Sequence, residues 1–224
     1  MIDRYIISAE KDAIRNRYNI SHDFDFTATF NAKPTDKLPV IFNKDPKIIQ
    51  NTYWGQTPEW SNNKKLSTKL FNAPVDETRT KKSLAIGLQN RRCLIPATGF
   101  VVWNKLGKKT AVPYLYHLPM FEIFTMAGIW EDFSNIDGEG YLTFKLITRT
   151  DEKLQVNAPL MLSLDDELDW LSGNKETESL MKNSRDDFNT YSISPVIHKT
   201  QKDTEELIKH IPPVDQQGNY TLFS

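Results

Sequence analysis

Thiols are almost missing from this chain. A single cysteine, Cys93, occurs in 224 residues, which excludes an intrachain disulfide and any zinc cluster resting on thiolates. A reducing cytoplasm is therefore the expected location. Glycine is scarce at nine, and no Gly-rich phosphate loop of the dinucleotide or Walker kind is present, so no nucleotide cofactor is expected. No apolar run approaches the roughly 18–20 residues that a membrane span requires. The first twelve residues lack a basic stretch followed by an apolar one, so a signal peptide is not expected. The four histidines (His22, His117, His198 and His210) show no metal-ligand spacing, and no metal is expected. Each reads as a surface or strand histidine. HExxH, GxSxG and Cys-His signatures are missing too.

What is present is an ordinary globular balance: 39% hydrophobic, 25% charged and 11% aromatic residues. This length and composition fit one domain over residues 1–224, with a real core. A monomer is expected. The formal net charge of −1 hides an asymmetry. Between Trp60 and Thr110, eight lysines and three arginines face only Asp76 and Glu77, a net of +9. Acid gathers later, at Asp151, Glu152, Asp165, Asp166, Glu167, Asp169, Glu176 and Glu178. A segment this basic, interleaved with Trp54, Trp60, Phe71, Phe100 and Trp103, is what a surface tracking phosphates and stacking bases needs. The plain alternative is lysines scattered over several surfaces and aromatics in the core.

Periodicity gives strands near 1–7, 38–42, 48–53, 93–95, 100–103, 114–118 and 190–193. Residues 121–130 and 141–148 pair across the Asp137-Gly138-Glu139-Gly140 turn. Helices are expected over 9–18 (capped by Ser8), 82–89, 176–183 and 204–210. A further helix, capped by Ser163, carries Leu164, Leu168 and Leu171 at i, i+4, i+7. Asp165, Asp166 and Glu167 fall in its first turn, where they favour the helix dipole. Residues 55–80 show little periodicity. The fold class is α+β: a bent, largely antiparallel, barrel-like sheet with short peripheral helices. Cys93 reads as a buried, inert thiol.

Several segments in register resemble the SRAP family, the SOS-response-associated peptidase or abasic-site processing proteins. Met1-Ile2-Asp3-Arg4-Tyr5 resembles the family opening Met-Cys-Gly-Arg-Tyr. Phe30-Asn31-Ala32-Lys33-Pro34-Thr35 resembles Tyr-Asn-x-x-Pro-Thr, and Trp54-Gly55-Gln56-Thr57-Pro58-Glu59-Trp60 resembles Trp-Gly-x-x-Pro-x-Trp. Phe71-Asn72-Ala73 with Glu77-Thr78 resembles Asn-Ala-Arg-x-Glu-Thr. Arg91-Arg92-Cys93-Leu94-Ile95-Pro96-Ala97-Thr98-Gly99-Phe100 with Trp103 resembles Arg-Cys-Leu-x-Pro-Ala-x-Gly-Phe-x-Glu-Trp. Ala127-Gly128-Ile129-Trp130-Glu131 and Pro159-Leu160-Met161-Leu162 are later landmarks. The resemblance implies an SRAP-like fold and a role in the DNA-damage response, with single-stranded DNA and abasic-site DNA as partners. It further implies a DNA–protein crosslink: Met is removed, the amine of Cys at position two condenses with the sugar aldehyde, and its thiol closes a thiazolidine. A neighbouring Asn, a Glu and a His assist.

The departures fall on the reactive positions. Ile2 replaces the Cys, so the thiazolidine should not form, and its bulk disfavours removal of Met1. The family Glu falls on Val102 and the His on Gln155, neither of which transfers a proton. Asn72 is retained. A Met1 amine, partly neutral near its unperturbed pKa of about 8, remains a usable imine-forming nucleophile, and lyase chemistry, strand cleavage by β-elimination from that imine, is the expected residual activity. Arg4, Asn31, Trp54 and Arg92 are the expected DNA-binding residues. A second reading is a non-catalytic binding or interaction module on the same fold. A peptidase is the third, without a visible nucleophile or metal site.

Overall fold

Alternating apolar positions become the strands of two sheets. The computed structural model describes residues 2–55, 71–78, 80–105, 110–134, 140–151, 156–175, 177–182, 184–185 and 187–221. Thirteen strands lie among the described residues: β1 (Tyr5–Ile7), β2 (Thr29–Ala32), β3 (Lys37–Phe42), β4 (Ile49–Trp54), β5 (Asn72–Pro74), β6 (Arg92–Ala97), β7 (Gly99–Lys105), β8 (Ala111–His117), β9 (Phe124–Ser134), β10 (Gly140–Asp151), β11 (Val156–Pro159), β12 (Met161–Leu162) and β13 (Asn189–Ser192). In one sheet β10, β4, β3, β6 and β9 pair in turn, and β9 pairs back onto β10. That closure makes a five-stranded barrel and removes its free edges. β5, β11 and β12 attach to its wall. Most pairings are antiparallel, but β10 takes both β4 and β5 in parallel.

The second sheet, in the order β13-β8-β7-β1-β2, is antiparallel throughout. Its two faces follow the strand period of two. Tyr5 and Ile7 join the main core with Trp54, Phe100 and Phe144. Ile6 points the other way, to a smaller core with Val101, Leu115, Ile193, Ile197, Leu207 and Ile208. One face of the sheet thus packs on the barrel, and the C-terminal segment covers the other.

Among the described residues, five short α-helices surround the sheets: α1 (Lys11–Arg17), α2 (Val75–Thr78), α3 (Lys82–Asn90), α4 (Leu164–Ser172) and α5 (Thr177–Lys182). α4 starts as its sequence dictates: the Ser163 hydroxyl accepts the Asp166 N–H, and Gly173 closes the helix at φ 74°. Two expectations change. Ser8 does not cap α1, which begins after Glu10; the Ser8 hydroxyl bonds Thr98 Oγ1 at 2.9 Å instead. The last helix is only a 3-10 turn, Glu205–Ile208.

Gly128 on β9 marks a tight approach in the barrel. A Cβ there would lie 2.4 Å from Ile95 Cδ1, 2.8 Å from Cys93 Sγ and 3.0 Å from the Lys145 carbonyl. Ile95 can rotate, but the backbone oxygen cannot. Gly128→Ala is expected to lower stability by about 1–3 kcal/mol through overpacking, read from urea unfolding.

Candidate functional site at the start of the chain

β1 lies between β2 and β7, with Tyr5 opposite Phe100 and Ile6 opposite Gly99. The Arg4 carbonyl accepts the Val101 N–H at 3.0 Å. These ties fix residues 2–4 at the junction of sheet and barrel. Ile2 is fully buried in the main core. Its carbonyl accepts a 2.7 Å hydrogen bond from Asn72 Nδ2, and Asn72 opens β5 opposite Leu146 of β10. The retained Asn72 and the substituted position two are thus in direct contact. The buried, apolar Ile2 side chain stands at the position where the family opening has its cysteine.

Arg4 is buried rather than offered to a phosphate. It donates to the Asp3 carbonyl at 2.6 Å and to the His198 carbonyl at 3.4 Å. Burial pulls its pKa down, against the opposing pull of Asp3 and Asp36. Asn31 is also buried, and it donates to the Lys202 carbonyl at 3.1 Å. Trp54 is fully buried. Its Nε1–H donates to the Phe71 carbonyl at 2.9 Å, and its ring meets Tyr5 edge-on at 5.0 Å and stacks on Phe144 at 6.3 Å. No face of that ring is left for a base, so Trp54 is a core wedge behind the site. Arg92, also buried, donates to the Trp170 carbonyl at 3.2 Å and lies 4.7 Å from the Trp170 ring. Its guanidinium braces α4 against β6. Val102, on β7 opposite Tyr114, is in the core as well. Met1 and Gln155 lie outside the described residues.

The basic segment is only partly described, and Lys81, Lys82 and Lys105 are exposed. Lys64, Lys65, Lys69, Arg79, Lys108 and Lys109 lie outside the described residues. Of the others, Lys81 pairs with Glu77, Arg91 lies beside Trp130 and Arg92 is interior. A cavity of about 420 Å³ on the β2–β3 side is lined by Asp25, Asp36 and Asp203 with one cation, Lys37. That lining suits a phosphate chain poorly.

Sequence reasoning missed the polar groups that do gather here. Asp3 Oδ2 lies 3.3 Å from His198 Nδ1. The Trp103 ring meets the imidazole edge-on at 5.8 Å. The two residues are 195 positions apart, so no local spacing announces them. Asp3 Oδ1, Arg4 Nε, the Tyr5 hydroxyl and Asn72 Oδ1 are all buried and make no hydrogen bond within the protein. Such groups are costly to hide, and their concentration around residues 2–5 marks a place with bonding capacity to spare. Cys93 is buried, and burial raises its pKa well above the usual thiol value, so it is inert. Among the described residues, no group of three His, Cys, Asp or Glu side chains could hold a metal.

Comparison with known proteins identifies the family. Residues 1–200 match the family model for SOS response associated peptidase (SRAP). The chain is 25% identical over 222 residues to the abasic site processing protein YoqW of Bacillus subtilis, covering 93% of this chain and 99% of that one. It is 23% identical to the abasic site processing protein HMCES of Xenopus tropicalis, covering 86% of this chain and 69% of the relative. A crystal structure of a protein from Bacteroides thetaiotaomicron superposes with a TM-score of 0.78 at 21% identity, covering 93% of this chain and 99% of the other. That likeness carries the fold.

Proposed function

The chain belongs to the SRAP family, and from that premise we propose that it captures abasic sites in single-stranded DNA without forming the family's thiazolidine crosslink. Relatives named abasic site processing proteins support a role in abasic-site DNA processing. The observation that carries the finer reading is Ile2, buried and held through its carbonyl by Asn72. Its hydrocarbon side chain has no atom that can add to an imine. Capture then stops at the reversible stage: the Met1 amine attacks the aldehyde carbon, water leaves, and the C=N bond hydrolyses unless it is reduced.

Borohydride trapping tests this. Protein mixed with abasic single-stranded oligonucleotide should give a covalent adduct with borohydride and none without it. An intact oligonucleotide should give neither. Absence of any reduced adduct would sink the imine. Tight, salt-sensitive binding that persists without an adduct would favour the non-catalytic module instead.

A further inference from the structure

We propose that the outward face of α4, with the groove beside it, is a docking surface for a basic amphipathic helix of a partner protein. The starting point is an inverted helix. Leu164, Leu168 and Leu171 share the spacing of a core-facing stripe, but only Leu171 is buried. Asp166 and Glu167 take the inward positions beside Trp170, where Lys175 and Arg17 bind them. Leu164 and Leu168 are left outward, 68% and 73% exposed, with the exposed Asp165 next to them. The pairing of Leu162 with Thr125 carries this face onto the stretch before β9. A cavity of about 290 Å³ opens there, with Ile123, Phe124, Leu162 and Leu164 in its lining. Three residues before Ile123, Met120 is 91% exposed. Met120 and Phe121 both have left-handed backbone, at φ 53° and 54°, which residues with a Cβ adopt at a cost. The Phe121 ring stacks on His117 at 4.2 Å and pins that turn. Met120, Leu164 and Leu168 are the most exposed large aliphatic side chains among the described residues, and all three belong to the segments bordering this groove. Single exposed apolar residues are ordinary, whereas a gathered set marks an interface.

Charge decides what fits. Arg17 and Arg185 line the groove, but each is bound by a carboxylate of its own, Glu167 and Asp187. Glu122 in the same lining and Asp165 on α4 have no ion-pair partner among the described residues. The surroundings are therefore acidic, with two arginines against four carboxylates. Such a rim repels a nucleic-acid backbone and an anionic lipid surface. A second copy meeting it about a two-fold axis would set Asp165 and Glu122 against their own equivalents. A helix with apolar residues at i, i+4 and i+7, and lysine or arginine beside them, answers both the leucines and the acid.

A phage-displayed library of random peptides, each about 16 residues long and so able to form four helical turns, tests this. It is selected on the unmodified protein and counter-selected on the Leu164→Gln/Leu168→Gln variant, whose changes fall on exposed helix positions and add no charge. Retained peptides should carry net positive charge and apolar residues at helical spacing. For such a peptide the double variant should weaken binding about tenfold or more, the scale of one buried leucine. Asp165→Lys should weaken it about threefold and flatten its salt dependence. Retained peptides without positive charge, or none that tell the two proteins apart, would overturn the proposal. So would a dimer in sedimentation that the double variant dissolves, because a second copy would then hold this face. Loss of single-stranded DNA binding in the double variant would overturn it as well, by assigning the face to DNA.

Discussion

The Ile2→Cys protein, with Met1 removed, is expected to hold abasic single-stranded DNA in an adduct that survives denaturation without borohydride. The unmodified protein should hold none. The difference is one sulfur atom. With amine and thiol on the same residue, the thiol adds to the imine carbon, the S–H proton passes to nitrogen, and a five-membered ring replaces a hydrolysable C=N bond. Asn72 already holds the position-two carbonyl at 2.7 Å, so the new residue inherits a fixed backbone. Retained adduct should rise about tenfold or more over background. It should form slowly, because the missing carboxylate and imidazole are each worth about 10²–10⁴ in rate. Restoring the acid by Val102→Glu is not a simple remedy, since Val102 sits in the main core and a carboxylate there would be desolvated. Truncating the buried Ile2 also leaves a void, at a cost of about 1–3 kcal/mol. Ile2→Ser is the control, sharing the cavity but not the sulfur. Intact mass confirms that Met1 is gone, and denaturing gels without reductant read the adduct. Equal adduct from Ile2→Cys and Ile2→Ser would mean that position two does not face the lesion.

The fold was legible wherever local chemistry and tertiary packing agree. Ser163 and Gly173 bracket α4 because each satisfies its own helix end. The β9–β10 pairing follows from two long apolar runs around a turn. β5, β11 and β12 span only two to four residues and exist because β9 and β10 offer them a ladder; nothing inside them announces a strand. Ser8 has the chemistry of a cap, but Thr98 from β6–β7 takes its hydroxyl. The site divides in the same way. Asn72 and Ile2 were readable as motif positions, and the structure puts them in contact. Trp54 and Arg92 looked like DNA contacts because aromatic and cationic types serve both recognition and core bracing; only burial separates the two uses. His198 was dismissed because its partner lies at the other end of the chain. Glu167 was explained by the helix dipole alone, and it does considerably more.

Replacing Glu167 with alanine should be among the most destabilising single changes outside the candidate site. Glu167 projects from the first turn of α4 and is buried. Arg17, the last residue of α1, donates to it from both Nη1 (3.1 Å) and Nη2. Thr125 of β9 donates to the same carboxylate, and the Tyr18 hydroxyl closes the network on Thr125 Oγ1 at 2.8 Å. Burial works against the charge on Arg17, yet the Glu167 bond holds its pKa above the ordinary arginine value. The carboxylate thus joins α1, α4 and the barrel wall at one point. Glu167→Ala leaves a largely desolvated guanidinium without its anion, at a cost of about 3–5 kcal/mol. For a chain of this size that is a fall in Tm of roughly 10 °C. Glu167→Gln should lose less, because an amide oxygen still accepts from Arg17 or Thr125. The double variant Arg17→Met/Glu167→Leu should recover most of the loss, since removing both charges abolishes the desolvation that made the single change costly. Calorimetry on the four proteins measures the coupling. A Tm change under about 2 °C in Glu167→Ala, or a double variant no better than the single, would show that this ion pair is screened like a surface one.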